Sequence, residues 1–375
     1  MRNPIKFIIL IFTFIGCKSS VDINPVKKID SIKVSMDKNA ESFLIASNIN
    51  SVSIGIYKNG EIHTGHFGEL DKGMGNTPND ATIYEIGSNT KTFTGFLVAQ
   101  AVLEGKLTIE DDVQKFLDEE YLNFVYKQSP IKIKHLLTHT SGLVNTLPPE
   151  VNALFGKFEE EGTPEKINRV YANYSKEKFL EDLHGVQIDT IPGYRFSYSN
   201  AGVELLGHIL EVVYEDNFDN LLKTFIFERA EMTNTKMELM QVDLLNVANG
   251  LGFSENVRPL FYNPLWGSAG KLKSTTPDLT KYLRLQLDST STTIRKSREV
   301  IYSEDGRTIS YLWRVRAYEE FGNYYYHHGG SFRTQNMIFV FPQFDLGISV
   351  ITNRSDNETG PQLQKLAFSL LEDLK

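Results

Sequence analysis

Ser88 and Lys91 stand three residues apart, a spacing that on a helix stacks two side chains on one face. A serine hydroxyl is a poor nucleophile until a neighbour takes its proton, and a partly desolvated lysine can serve. A helix N-terminus would add unpaired N–H groups that favour negative charge forming nearby. The pattern is short, and Ser35/Lys38, Ser129/Lys132, Ser175/Lys178 and Ser268/Lys271 fit it too. Context separates them: only Ser88 is followed at once by a long stretch with Phe93, Phe96, Leu97 and Ala101 at helical spacing, and preceded by strand-like residues 82–86. In isolation the pair would read as a helix-capping serine beside a solvated lysine.

The elements that must position this pair follow from periodicity. Val52, Ile54 and Ile56 alternate with polar or small residues, and Asn59-Gly60 offers a two-residue turn into residues 61–67, which predicts a hairpin. Residues 324–328, 337–341 and 346–352 are strand-like, and residues 362–374 carry apolar side chains at helical spacing. Between about 89 and 284 helical patterns dominate, among them 93–104, 202–214 and 218–229. Strands at both ends with helices between them predict an α/β chain of the α+β type. One antiparallel sheet is built from the two terminal segments and flanked by helices, with an all-helical lobe inserted at about 105–265. Clefts form between such lobes, and chemistry is expected there.

The segment Glu-Ile-Gly-Ser-Asn-Thr-Lys-Thr-Phe at 85–93 resembles the active-site serine segment of the superfamily of class C β-lactamases, serine DD-peptidases and esterases. Leu-Leu-Thr-His-Thr-Ser-Gly-Leu at 136–143, Pro-Gly-Tyr-Arg-Phe-Ser-Tyr-Ser-Asn at 192–200 and Tyr-His-His-Gly-Gly-Ser-Phe at 326–332 resemble further segments of that family, in the same order. The similarity runs from about residue 50 to the C-terminus, and it implies a sheet flanked by helices plus a helical lobe, with the serine between them. It also implies a Tyr-x-Asn motif, for which Tyr171/Asn173 and Tyr198/Asn200 compete. The second copy follows Pro192-Gly193 and leads into a helix as the family segment does, so Tyr198 is preferred. A phenol, with an ordinary pKa of about 10, is a base near neutrality only beside a cation such as Lys91. The resemblance assigns Lys91 and Tyr198 to a proton relay between Ser88 and the leaving group, and Asn200 to the substrate amide or carbonyl. His327, His328, Gly329 and Gly330 take the place of the family's Lys-Thr-Gly or His-x-Gly strand. The N–H groups of Ser88 and Gly330 would form the oxyanion hole, and His327 and Gly329 would face substrate, the glycines admitting a close backbone. Histidine in place of lysine weakens the case for carboxylate recognition, and His328 is read as an ordinary strand residue.

Other residues point elsewhere or nowhere. His135 and His139 are spaced i, i+4 but lack a completing carboxylate, so a structural role is expected and no metal. Gly267-Ser268-Ala269-Gly270 with Trp266 resembles the family's glycine-rich segment before a helix and would border the cleft, a packing role being at least as good a reading of Trp266. The 375 residues hold 47 acidic and 39 basic side chains, a net charge of −8 that excludes a generic basic nucleic-acid binder. With 41% hydrophobic residues, 27 glycines and 13 prolines, wholesale disorder is excluded as well. The single cysteine, Cys17, rules out an intramolecular disulfide framework. It follows Arg2, Lys6 and an apolar run at 7–16, too short to span a bilayer of about 30 Å. This resembles a bacterial lipoprotein signal over residues 1–16 with lipidation at Cys17, although Phe14 stands where leucine is usual; an ordinary signal peptide is the alternative. Residues 17–40 would tether a domain at 41–375 to the cell envelope through a lipid anchor, facing periplasm or exterior.

Together these readings predict a cofactor-free serine hydrolase that works through an acyl-enzyme on Ser88 and acts on a peptide, amide or ester, in the manner of a DD-peptidase, aminopeptidase or esterase. A class C-like β-lactamase is the alternative within the chemistry. A slow-turnover sensor that captures peptidoglycan stem peptides or β-lactams is the alternative outside it.

Overall fold

The computed structural model describes residues 31–157, 160–252, 257–304 and 306–375. Cys17 and the segment before it therefore lie outside the described residues. The principal sheet has eight antiparallel strands in the spatial order Glu61–Gly68, Ser51–Lys58, Leu346–Thr352, Gln335–Phe341, Asn323–Gly330, Arg314–Ala317, Arg307–Ile309 and Tyr302–Glu304. Its first four strands pair the two ends of the chain, with Ile54 opposite Val350 and Met337 opposite the same Val350 on the other side. The predicted hairpin turn is present: Asn59 and Gly60 both take positive φ, 49° and 90°, the pair of values a tight two-residue turn demands.

Both faces of this sheet are covered, which is why Leu346–Thr352 is buried along its whole length. On one face Val52, Ile54, Ile56, Ile348 and Val350 meet Met36 and Phe43 of the helix Ser31–Ala46, and Leu363, Leu366 and Leu370 of the helix Thr359–Leu374. Truncating a fully buried leucine of that layer to alanine costs about 2–5 kcal/mol. On the other face the helix Thr276–Leu287 packs so closely that a Cβ on Gly55 would stand 2.1 Å from Thr280 Oγ1.

The expected tether is corrected over its last ten residues. Residues 31–40 belong to the helix Ser31–Ala46, because Met36 and Ala40 find an apolar partner surface and Ser35 and Asn39 both donate to Asp373, at 2.9 and 2.8 Å. The inserted portion is also not wholly helical. Val125–Tyr126 pairs with Ser129–Pro130, and Gly250–Leu251 with Val257–Arg258, in short two-stranded ladders. Its core is continuous with the inner sheet face, since Phe179, Leu205 and Ile209 join Phe93, Leu279 and Ile338 in one apolar cluster.

Candidate active site

Ser88 sits on a single 3-10 turn, Gly87–Asn89, and the α-helix starts at Thr90 rather than at the serine. Gly87 adopts φ 49°, and a Cβ there would lie 2.3 Å from Gly330 O, so only glycine lets the turn press against the strand Asn323–Gly330. The helix Thr90–Leu103 was expected to bury one face. It is buried almost all round, Thr90, Thr92 and Thr94 included, because it runs through the molecule's centre rather than along its surface. Phe93 stacks on Tyr282 at 3.8 Å, and Thr94 Oγ1 donates to Ser268 O at 2.7 Å.

Lys91 is 0% exposed, and its Nζ donates to Ser88 Oγ at 3.0 Å, to Asn200 Oδ1 at 2.7 Å and to Ala269 O at 2.5 Å. An ammonium has three N–H groups, and three acceptors surround this one. Tyr198 Oη lies 2.8 Å from Ser88 Oγ, and Lys91 Nζ is 4.9 Å from the Tyr198 ring centre. Four residues from two distant segments therefore meet in one hydrogen-bonded cluster. Ser199 caps the helix Asn200–Tyr214 by accepting from Gly202 N–H, which fixes Tyr198 just before the helix and Asn200 at its first position. Asn145, absent from the sequence reading, holds Asn200 by accepting from its side chain at 3.0 Å and from its backbone N–H at 2.7 Å.

Tyr171, the competing tyrosine, lines the same cavity but its hydroxyl bonds to Thr146 Oγ1 at 3.0 Å, whereas the hydroxyl of Tyr198 bonds to Ser88. His139 explains the posture of Tyr198: its ring centre lies 4.4 Å from the tyrosine ring, its Nδ1 accepts from Ser199 N–H at 3.2 Å, and its carbonyl accepts from Ser197 N–H at 2.7 Å. Burial, with the Lys91 charge second, holds this imidazole well below its ordinary pKa, so it is a neutral strut. His135 accepts from Lys132 N–H and is lowered to about 4 by burial. Among the described residues no cluster of three or more potential ligands could hold a metal ion.

A cavity of about 410 Å³ opens over Ser88. Phe155, Phe179, Phe196, Phe261 and Phe332 give it an aromatic lining, while Tyr198, Asn200, Glu204, Arg314 and His328 supply polar groups. Gly330 lines it, and so do Ala269 and Gly270, which border the cleft as expected; Trp266 is in packing, donating to Glu211 at 2.7 Å.

The strand Asn323–Gly330 differs from expectation. His327 is 2% exposed and does not line the cavity, because strand alternation turns its side chain inward. Its Nδ1–H donates to His328 O at 2.9 Å, and burial, then the charges of Arg314 and Lys91, keep it neutral. The neighbour read as an ordinary strand residue, His328, lines the cavity instead and donates through Nε2 to Gln335 Oε1 at 2.8 Å. Gly329 also lies off the cavity: a Cβ there would stand 2.1 Å from Ile86 O, so its glycine serves the join between strand and turn, not the approach of substrate. The cation at the mouth is Arg314, exposed, on the neighbouring strand, with no motif around it to announce it.

A family model described as Beta-lactamase matches residues 36–371. The chain belongs to the beta-lactamase family. Protein flp of Staphylococcus aureus strain N315 is 26% identical over 330 residues, covering 85% of this chain and 62% of the relative. The chain thus spans less than two thirds of the length of that curated relative. A class C beta-lactamase superposes with a TM-score of 0.78 at 17% identity, covering 93% of this chain and 98% of the other. The beta-lactamase/D-alanine carboxypeptidase from Yersinia pestis does so with a TM-score of 0.76 at 19% identity, covering 92% and 99%. These two likenesses establish the fold. Among the described residues no helix is long and apolar enough to cross a membrane.

Proposed function

We propose that this member of the beta-lactamase family hydrolyses peptide, amide or ester bonds through an acyl-enzyme on Ser88. The observation that carries the reading is the placement of Ser88 Oγ between Lys91 Nζ, 3.0 Å away, and Tyr198 Oη, 2.8 Å away, at the mouth of a cavity. With all three N–H groups of Lys91 engaged, Tyr198, whose Oη stands 2.8 Å from Ser88 Oγ, is the group placed to take the serine proton. Ser88 Oγ attacks the carbonyl carbon, and the oxyanion is met by the N–H groups of Ser88 and Gly330, each worth about 3–4 kcal/mol in comparable hydrolases. The leaving group departs with the proton held by Tyr198. Water then cleaves the ester by the reverse relay, restoring Ser88. Asn200, tied to Asn145, holds Lys91 and offers its amide to the substrate.

Arg314 bears on the substrate class. An inward, neutral His327 cannot recognise a carboxylate, but the exposed guanidinium of Arg314 at the mouth can, which favours substrates with an anionic group next to the scissile bond: stem-like D-Ala-D-Ala peptides first, β-lactams second. A panel of a D-Ala-D-Ala peptide, a D-amino-acid amide, a p-nitrophenyl ester and a chromogenic cephalosporin tests this. Turnover of the peptide and the ester, abolished by Ser88→Ala, is expected. An acylation burst with no steady turnover on any member would replace the hydrolase reading with that of a sensor.

A further inference from the structure

Glu204 stands one helical turn after Asn200 and faces the same wall of the cavity, where it is 3% exposed. Its Oε1 accepts from Asn263 Nδ2 at 2.9 Å and from Ala269 N–H at 3.4 Å. Its Oε2 lies 3.2 Å from Ser268 Oγ, and that hydroxyl in turn donates to Val203 O at 2.8 Å. Ser268 Oγ has one hydrogen for two acceptors, Val203 O and Glu204 Oε2, and with that hydrogen on the shorter bond to Val203 a proton on the carboxyl completes the contact with Oε2. The segment held this way is the one that meets Lys91. Ala269 turns its N–H to Glu204 and its carbonyl to the Lys91 ammonium, and Gly207 lets the Ser268 hydroxyl come within 2.5 Å of where a Cβ would be.

We propose that Glu204 is a positioning residue for Lys91, acting as a neutral acid that locks Ser268 and Ala269 so that the Ala269 carbonyl receives one of the three N–H groups of the ammonium. Burial raises the proton affinity of this carboxyl; the Asn263, Ala269 and Gly267 donors and the Lys91 charge oppose it. Tyr171, the other titratable group facing it, is itself held neutral by burial. The consequence is that a neutral isostere can do the work of the acid. Glutamine would donate from Nε2 to Ser268 Oγ and accept at Oε1 from Asn263 and Ala269.

The inference rests on Lys91 belonging to the relay, so the experiment first labels wild-type Ser88 with a fluorophosphonate, which tests that reading separately. The kcat, KM and rate–pH profile are then compared for wild type, Glu204→Gln, Glu204→Met and Glu204→Asp on one p-nitrophenyl ester, with thermal melting alongside. Glu204→Gln is expected within about twofold of wild type and with an unmoved profile. Glu204→Met should lose on the order of 10- to 100-fold in kcat, the size of an effect from roughly 1 Å of misplacement, with KM little changed and the pH dependence displaced. If the Met variant does not fold, Glu204→Asp, which keeps the acid but shortens its reach, should show a several-fold loss in kcat and the same displacement. A Gln variant as impaired as Met or Asp would mean that the negative charge matters, and would overturn the proposal. Met and Asp variants that match wild type would overturn it too.

Discussion

The two walls of the cavity are built on different principles. The helical wall brings Ser88, Lys91, Tyr198 and Asn200 together through side chains, each within 3.0 Å of a partner. The sheet wall presents the Gly330 backbone, which lies against the Gly87 turn, beside the side chain of His328, and the one histidine expected to face substrate is turned inward. On the first wall the chemistry dictates residue type at each position, so a change of letter changes the reaction. On the second, shape dictates it, and the charged group arrives from a neighbouring strand. The helical wall should therefore be intolerant of single-atom changes, while side-chain changes on the sheet wall that leave the Gly330 N–H in place should alter which substrate is preferred.

The largest effect that sharpens this contrast is at Tyr198. Tyr198→Phe removes one oxygen from the relay and should lower kcat by about 100-fold or more. Tyr171→Phe, which loses only the bond to Thr146, should leave kcat near wild type and cost about 1 kcal/mol of stability. Steady-state kinetics and thermal melts of the two variants measure both, and the opposite ranking would break the assignment of roles to the helical wall.

Arg314 should give the next effect. Arg314→Ala is expected to lower kcat/KM by about 5- to 10-fold on the anionic member of a matched substrate pair, the scale of one solvent-screened charge-assisted hydrogen bond, and to leave the neutral member unchanged. Because His327 is held neutral far below its ordinary range, the preference should be flat between pH 6 and 8. A preference for anions that rises as pH falls through 6.5 would return the role to a histidine.

How much of this the sequence disclosed follows the same division. The hairpin at Asn59-Gly60 and the terminal strands were legible because turn chemistry and alternation are local signals. The cluster around Ser88 was legible through the Ser-x-x-Lys spacing together with the family resemblance at 85–93 and 192–200. The helix over 31–40 was not, since Lys33, Asp37 and Lys38 give it a solvated look and only contact with Asp373 and the C-terminal helix decides it. The short strands Arg307–Ile309 and Arg314–Ala317 are three and four residues long, below the length at which alternation is readable, and Arg314 was missed with them. Ala269 and Glu204 act through a carbonyl and a buried acid that no motif marks.

The buried histidines bear on stability rather than on turnover. His135 and His139 are neutral in the fold and protonate near 6.5 once unfolded, so the unfolded chain binds more protons below that pH and stability falls as pH drops. The slope is about 1.4 kcal/mol per pH unit for each such group, from 6.5 down to about 4 for His135. His139→Asn keeps an acceptor in place of Nδ1 but cannot titrate. Its melting temperature should therefore fall less steeply than that of wild type between pH 7 and 5, and parallel curves would show that His139 is not buried as a neutral group.

The central claim is that Ser88 is the residue acylated. Incubation with a p-nitrophenyl ester or a fluorophosphonate, followed by acid quench, proteolysis and mass spectrometry, reads the modified residue directly. The account predicts one adduct, on the peptide containing Ser88, absent from Ser88→Ala and slowed in Lys91→Met. An adduct that persists in Ser88→Ala, or maps to Ser268, would contradict it.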